Sequence, residues 1–442
     1  MLPVSGHISP AGIFQADIQL ATTDVSIELY NFSGVQATID LWENGAKMAS
    51  TTLMVLAICW PYVKQLITLW FWCVSSNYIS HEERGAWLRR IGRLSKWSAL
   101  DVFFLVCALS FQRMTITNPD GVFPPDFFVL NLLLVLNWGI YANMIAQLVT
   151  NFSSHYILHL HEKSTAVSKD NSEGFSRLCR SSESSILLFS EFHLYSENET
   201  YHRYKCRNCL SFGVGLLGLL SALMLIFGSI NSIADVKISG LVALLTDFND
   251  DISRSTEFTF FDLIRVLMEQ AQYEGSISSW IGLIALVMFF VLTAFVFPLL
   301  QTFIVMLMCY VSLTDLKKER LYKSFRVVQA WNFCEVFAVC IILLVNNISH
   351  ISQNLLLSTC EEPLSDLLEL LGELNLTQQA DNRCFYLEMS FGSGYFMFLS
   401  SSVMIYFLGE LVGNIMELHL YPTKSYSRWN IYLQTFIFTE KA

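Results

Sequence analysis

Three ionisable residues lie where the chain is otherwise hydrocarbon: Lys64 in "WPYVKQL", Asp101 in "KWSALDVF" and Glu335 in "WNFCEVF". A charge is costly to bring into a bilayer, so such residues face a bundle interior and mark a polar partner or a polar passenger. Their spacing recurs. Pro61 stands three residues before Lys64, and Pro298 three before Gln301; Trp97 stands four before Asp101, and Trp331 four before Glu335. Each proline lacks an N–H and frees a carbonyl at mid-span, which is tolerated only where protein or water takes it up. Lys64 is expected to reach toward the cytoplasm and pair with Asp101 on the neighbouring span, as long basic side chains can. Glu410, in "FLGELVGN", is a further candidate near the end of its span. Lys64, Asp101, Gln301, Glu335 and Glu410 would thus line a polar cleft. Trp97 and Trp331 also suit rings at the cytoplasmic interface. No nucleophile triad, phosphate loop or complete metal set accompanies these residues, so neither an enzyme nor a cofactor is expected.

The elements that must hold these residues are membrane spans. Hydrophobic residues make up 53% of the 442 and charged ones only 15%, with a mean hydropathy of +0.45, far from a soluble profile. The expected fold is all-α, a polytopic helical membrane protein with about seven transmembrane helices in two related bundles. The spans are read at Met48–Val74, Trp97–Phe111, Phe127–Thr150, Leu210–Ile233, Trp280–Val311, Val327–Ile348 and Phe391–Ile415. No secretory signal peptide is recognisable ahead of the first.

Basic residues set the orientation, because Lys and Arg flanking spans stay in the cytoplasm. Twenty of the 27 fall in residues 76–96, 151–208, 312–326 and 420–442, and six in the alternate connections. The N-terminus is therefore expected outside and the C-terminus in the cytoplasm of a plasma membrane or endomembrane. The division is an outer segment 1–47, a first membrane half 48–150, a cytoplasmic linker 151–208, a second half 209–419 and a tail 420–442. The outer loops are acidic and the net charge is -11, which argues against a nucleic-acid partner.

Cys360 and Cys384 flank "NLT" in the last outer loop and are read as a disulfide, with two free thiols as the alternative. Asn31 and Asn375 head outer glycosylation sequons, whereas "NFS" at Asn151 and "NET" at Asn198 fall on the cytoplasmic side and read as chance matches. The "CRNC" of Cys206 and Cys209 supplies two zinc ligands of the four required, so reduced thiols are the plainer reading. Two amphipathic stretches, "PLSDLLELLGEL" and "FTFFDLIRVLM", could lie on the interface as lids or pack on neighbouring segments.

With these residues in view, the chain resembles the paraquat-inducible protein A family. Ser33, Gly34, Leu41, Trp42, Gly45, Pro61, Lys64, Lys96, Trp97, Ser98, Asp101, Val102 and Phe103 match its pattern. Ser239, Gly240, Pro298, Trp331, Glu335, Val336 and Phe337 match it more loosely, with Gln301 in place of the lysine. The resemblance implies two copies of one membrane domain and a role in phospholipid transport or membrane lipid homeostasis. Its implied partners are membrane lipids and a lipid-conduit protein on the outer face. The paired CxxC motifs of the family's zinc ribbons are reduced here to Cys206 and Cys209. A seven-span receptor and a tetraspan-like adaptor without transport are the alternatives.

Overall fold

The computed structural model describes residues 12–20, 23–43, 45–75, 78–112, 114–117, 128–172, 192–195, 201–206, 208–239, 255–274, 277–360, 386–420 and 438–440. A hairpin of β1 (Gly12–Leu20) and β2 (Thr23–Phe32) leads into α1 (Gly34–Glu43) and α2 (Lys47–Thr52). A π-helical turn, Leu53–Cys59, runs on into α3 (Trp60–Cys73). Then come α4 (His81–Leu94), a 3-10 turn (Ser95–Ala99), α5 (Leu100–Gln112), β3 (Met114–Thr117), β4 (Phe128–Leu136) and α6 (Trp138–Ser172). After β5 (Phe192–Tyr195) and β6 (Tyr201–Cys206), α7 (Asn208–Ile230) precedes β7 (Ala234–Ser239), β8 (Ser255–Phe258) and α8 (Phe260–Glu274). A second π-helical turn, Leu292–Val296, joins α9 (Ile277–Val291) to α10 (Phe297–Tyr310). The chain closes with α11 (Asp315–Ala330), α12 (Cys334–Cys360), β9 (Tyr386–Phe391), α13 (Ser393–Leu420) and β10 (Phe438–Glu440).

Helices dominate. Five segments among the described residues are long and apolar enough to cross a membrane: Lys47–Cys73, Phe212–Ile230, Trp280–Tyr310, Leu316–Ser349 and Ser393–Met416. Their outward faces carry bare hydrocarbon, such as Leu66, Leu69 and Trp70 on α3 and Leu216, Leu219 and Phe227 on α7, all exposed. This is how a helix bathed in lipid is dressed.

Two of the seven expected spans take another form. Trp97–Phe111 opens with the 3-10 turn, and α5 has only 13 residues, about 20 Å of helix where hydrocarbon is about 30 Å thick. Its Leu100, Val102, Phe103, Val106, Cys107 and Ala108 are buried on several faces, so it packs inside its unit rather than against lipid. Phe127–Thr150 divides at Trp138. Its first part is β4, paired antiparallel with β1 from Phe128–Leu20 to Leu136–Gly12. A short apolar run satisfies helix and strand periodicity alike, and here the ladder to β1 decides.

Three small sheets accompany the helices, in the orders β2-β1-β4-β3, β10-β6-β5 and β8-β7-β9. Strands were absent from the expected architecture. The strands of the first and third sheets come from outer segments of the charge pattern or the outer end of a span. Those of the second come from its cytoplasmic segments.

The chain forms two compact units. One comprises Met1–Tyr156, Gly228–Val291 and Val336–Phe396; the other comprises Ile157–Phe227, Leu292–Glu335 and Met397–Ala442. The first is built round an aromatic core. Phe260 stacks on Phe290 at 5.1 Å and meets Phe337 edge-on at 5.7 Å, while Phe103 lies 5.4 Å from Phe290, separations at which such pairs attract beyond their buried area. Phe260, Leu263, Leu267 and Ala271 of α8 are all fully buried. The amphipathic stretch "FTFFDLIRVLM" thus packs its apolar face inside its own unit; "PLSDLLELLGEL" lies outside the described residues. The second unit's core gathers Ile304, Val305 and Met308 of α10, Phe325 of α11 and Val412 and Met416 of α13.

Local chemistry explains several joints. Gly45 has φ 87° and its N–H reaches the Trp42 carbonyl at 3.2 Å, closing α1 in a conformation that only glycine adopts freely. Ser80 and Glu83 form a reciprocal capping box that starts α4. Each π turn ends just before an aromatic-proline pair, Trp60-Pro61 or Phe297-Pro298. In the first, the Trp60 N–H reaches back five residues to Val55, a shifted register that accommodates proline inside a long helix.

Candidate functional site: buried polar clusters at the prolines

In the first unit α3 carries Lys64 one turn past Pro61, with no exposed surface. Its ammonium donates to Ser95 Oγ at 2.5 Å and to Asn151 Oδ1 at 2.9 Å. Ser95 also donates to Asn151, closing a three-membered ring of polar groups. Ser95 belongs to the 3-10 turn and Asn151 to α6, so three separate elements converge on one charge. Beside it Gln65 donates to Thr150 at 3.1 Å, a second tie between α3 and α6.

The expected Lys64–Asp101 pair is not what forms. Among the described residues no carboxylate reaches Lys64. Asp101 instead accepts from Asn143 Nδ2 and, at 2.8 Å, from the Val102 N–H. The reason lies in the helix boundary. Asp101 sits in the first turn of α5, where unsatisfied N–H groups and the positive dipole end favour a carboxylate. Glu335 likewise occupies the first turn of α12 and is half-buried.

The second unit assembles a neutral counterpart. Gln301, one turn past Pro298 and buried, accepts from Asn332 Nδ2 at 2.8 Å and donates toward the Ile405 carbonyl at 3.5 Å. Gln329 donates toward Glu410 at 3.4 Å. Gly409 lets both glutamines lie against the bare backbone of α13, since a Cβ there would stand 2.6 Å from Gln301 Nε2 and 3.2 Å from Gln329 Nε2. Trp331, itself buried, marks a break between α11 and α12, and through it the Phe333 N–H reaches the Thr293 carbonyl at 3.0 Å. Thr293 lies in the π turn, five residues before Pro298. The carbonyl that proline leaves open is taken up by protein.

The structure therefore joins Gln301 to Asn332 and Glu410 to Gln329, and gives Lys64 and Asp101 separate partners. Ser95, Asn143, Asn151, Gln329 and Asn332 were not anticipated. One of them was visible and misread: Asn151, dismissed as a chance sequon, is 3% exposed. Asn143, Gln147 and Asn151 recur every fourth residue in an apolar stretch, the spacing of one helix face. Polar residues also stand two before and one after each tryptophan: Ser95 and Ser98 at Trp97, Gln329 and Asn332 at Trp331.

Other expected sites stand apart. Cys107, Cys309, Cys334 and Cys340 are buried as packing residues, whereas Cys59 and Cys73 are exposed. No group of three or more metal-binding side chains occurs among the described residues. Cys206 ends β6 and Cys209 lies in the first turn of α7. Asn31 is in β2 and Cys360 ends α12; Cys384 and Asn375 lie outside the described residues.

Residues 19–120 match the model of a family described as Paraquat-inducible protein A. Over this stretch, about a quarter of its length, the chain is similar to that family. The match takes in the β2 strand, Gly45, Pro61, Lys64, Ser95, Trp97 and Asp101, so the lysine of the polar ring and its serine lie within the matched segment. With five helices long and apolar enough to cross a membrane, the protein is a multi-pass membrane protein. No curated protein and no solved structure matches the chain.

Proposed function

We propose that this membrane protein handles phospholipid, admitting the polar headgroup to buried polar clusters while the acyl tails stay against apolar helix faces. The observation that carries this reading is Lys64: a fully buried ammonium held, among the described residues, by one hydroxyl and one amide oxygen. Neutral oxygens compensate a buried charge incompletely, and a phosphate oxygen makes the stronger, charge-assisted bond. Exposed Leu66, Leu69 and Trp70 on the same helix supply a surface on which tails rest.

In this reading the two halves are copies of one domain, each with a π turn, a proline, a polar residue one turn on and a tryptophan flanked by hydrogen-bonding side chains. The second copy has exchanged the charge for glutamine. Outer segments would deliver lipid to, or collect it from, a conduit protein on that face. Mass spectrometry of lipids retained through purification tests the proposal, together with transfer of labelled phospholipid between vesicles. Retained phospholipid and transfer above protein-free vesicles are expected. Lipid-free protein with no transfer would overturn it.

A further inference from the structure

Helix α6 presents three carboxamides on one face, Asn143, Gln147 and Asn151, with exposures of 6%, 2% and 3%. Its ends engage opposite charges: Asn151 accepts from Lys64, and Asn143 donates to Asp101. Between them both polar atoms of Gln147, and also Asn143 Oδ1, are buried without a hydrogen-bond partner among the described residues. Buried amides are ordinarily satisfied, and one left open at both ends calls for an explanation. Lys64, Ser95, Asp101 and all three amides belong to the first compact unit.

Eight residues of helix separate Asn143 from Asn151, a rise of about 12 Å. That suits a group with an anion at one end, a cation at the other, and hydrogen-bonding atoms between. We propose that this ladder binds the zwitterionic headgroup of a phospholipid, with phosphate at Lys64, ammonium at Asp101 and the phosphoester oxygen that joins them at Gln147. The proposal rests on the lipid-handling reading above and adds the headgroup class. The lysine end alone would accept any phospholipid. The carboxylate end rejects anionic headgroups and rewards an ammonium, so specificity comes from attraction and repulsion together. Ser95, Asn151 and Asn143 hold the two charges with bonds that a charged group displaces.

The test is competitive retention by the purified full chain from mixed vesicles of phosphatidylethanolamine and phosphatidylglycerol, read by mass spectrometry. Wild type is expected to retain the ethanolamine lipid preferentially. Asp101→Asn should shift the ratio toward the anionic lipid roughly tenfold, the order that one charge-assisted hydrogen bond contributes. Gln147→Leu is the second variant. It removes an amide that makes no bond among the described residues, so its melting temperature should hold or rise while lipid retention falls. Glycerophosphoethanolamine, the headgroup without tails, is expected not to displace bound lipid. Equal retention of both lipids by wild type, an unchanged ratio in Asp101→Asn, or displacement by the tailless headgroup would overturn the proposal. If no lipid is retained or moved at all, the lipid-handling reading falls with it; transfer without headgroup preference sinks only this inference.

Discussion

Asn151 holds Lys64 across 87 residues of sequence, its side-chain oxygen 2.9 Å from the ammonium. One contact thus ties α6 to α3 at the level of Pro61. It also places a positive charge in the interior of the unit, surrounded by neutral acceptors.

Asymmetry follows from that geometry. Asn151→Leu leaves the ammonium with the Ser95 hydroxyl alone and should destabilise the fold by about 1–3 kcal/mol, the range for stranding a buried partner. Lys64→Met removes the charge and fills its volume, so stability should change little or rise. In the double variant the asparagine's loss should be largely forgiven. Thermal unfolding in one detergent compares all three.

Close backbone approach predicts a second contrast. A Cβ at Gly394 would stand 2.6 Å from the Asn231 carbonyl and 2.7 Å from that of Gly228, whereas one at Gly92 would meet nothing within 4 Å. Gly394→Ala should lower the melting temperature by forcing the start of α13 off α7. Gly92→Ala, within α4, should raise stability by up to about 1 kcal/mol through helix propensity.

Phe260 anchors the aromatic core, touching both Phe290 and Phe337. Phe260→Ala should cost about 3–5 kcal/mol and lower the yield of folded protein, measured by size-exclusion profile and unfolding midpoint.

Asp40 of α1, which accepts from Gln36 at 2.7 Å, has its pKa raised by partial burial and then by Glu43. A carboxyl whose folded pKa lies above its unfolded one binds protons more tightly when folded. Its ionisation therefore lowers stability as pH rises through that range. Asp40→Asn should gain stability near neutral pH relative to wild type, with the difference vanishing in acid. Unfolding midpoints across pH check this.

Much of the framework was legible. Five of the seven expected spans emerge as long apolar helices, specified by length and composition. The segment similar to the family was recognisable from Pro61, Lys64, Trp97 and Asp101. What sequence could not settle was partner choice. Lys64 and Asp101 look like a pair in one dimension, but the 3-10 turn brings Ser95 to the lysine and starts a new helix at Leu100, so Asp101 serves an N-terminus and meets Asn143 instead. Strand β4 escaped notice because "FVLNLLLVL" is apolar apart from Asn131, and only its pairing with β1 distinguishes it from a span. Asn151 was hidden by its own sequon.

The central claim is that the buried ammonium serves passing lipid rather than the fold. Transfer of labelled phospholipid between vesicles by reconstituted Lys64→Met, with unfolding midpoint matched to wild type, tests it most directly. Transfer should fall to the level of protein-free vesicles while the protein stays folded. Wild-type transfer by that folded variant would contradict the account.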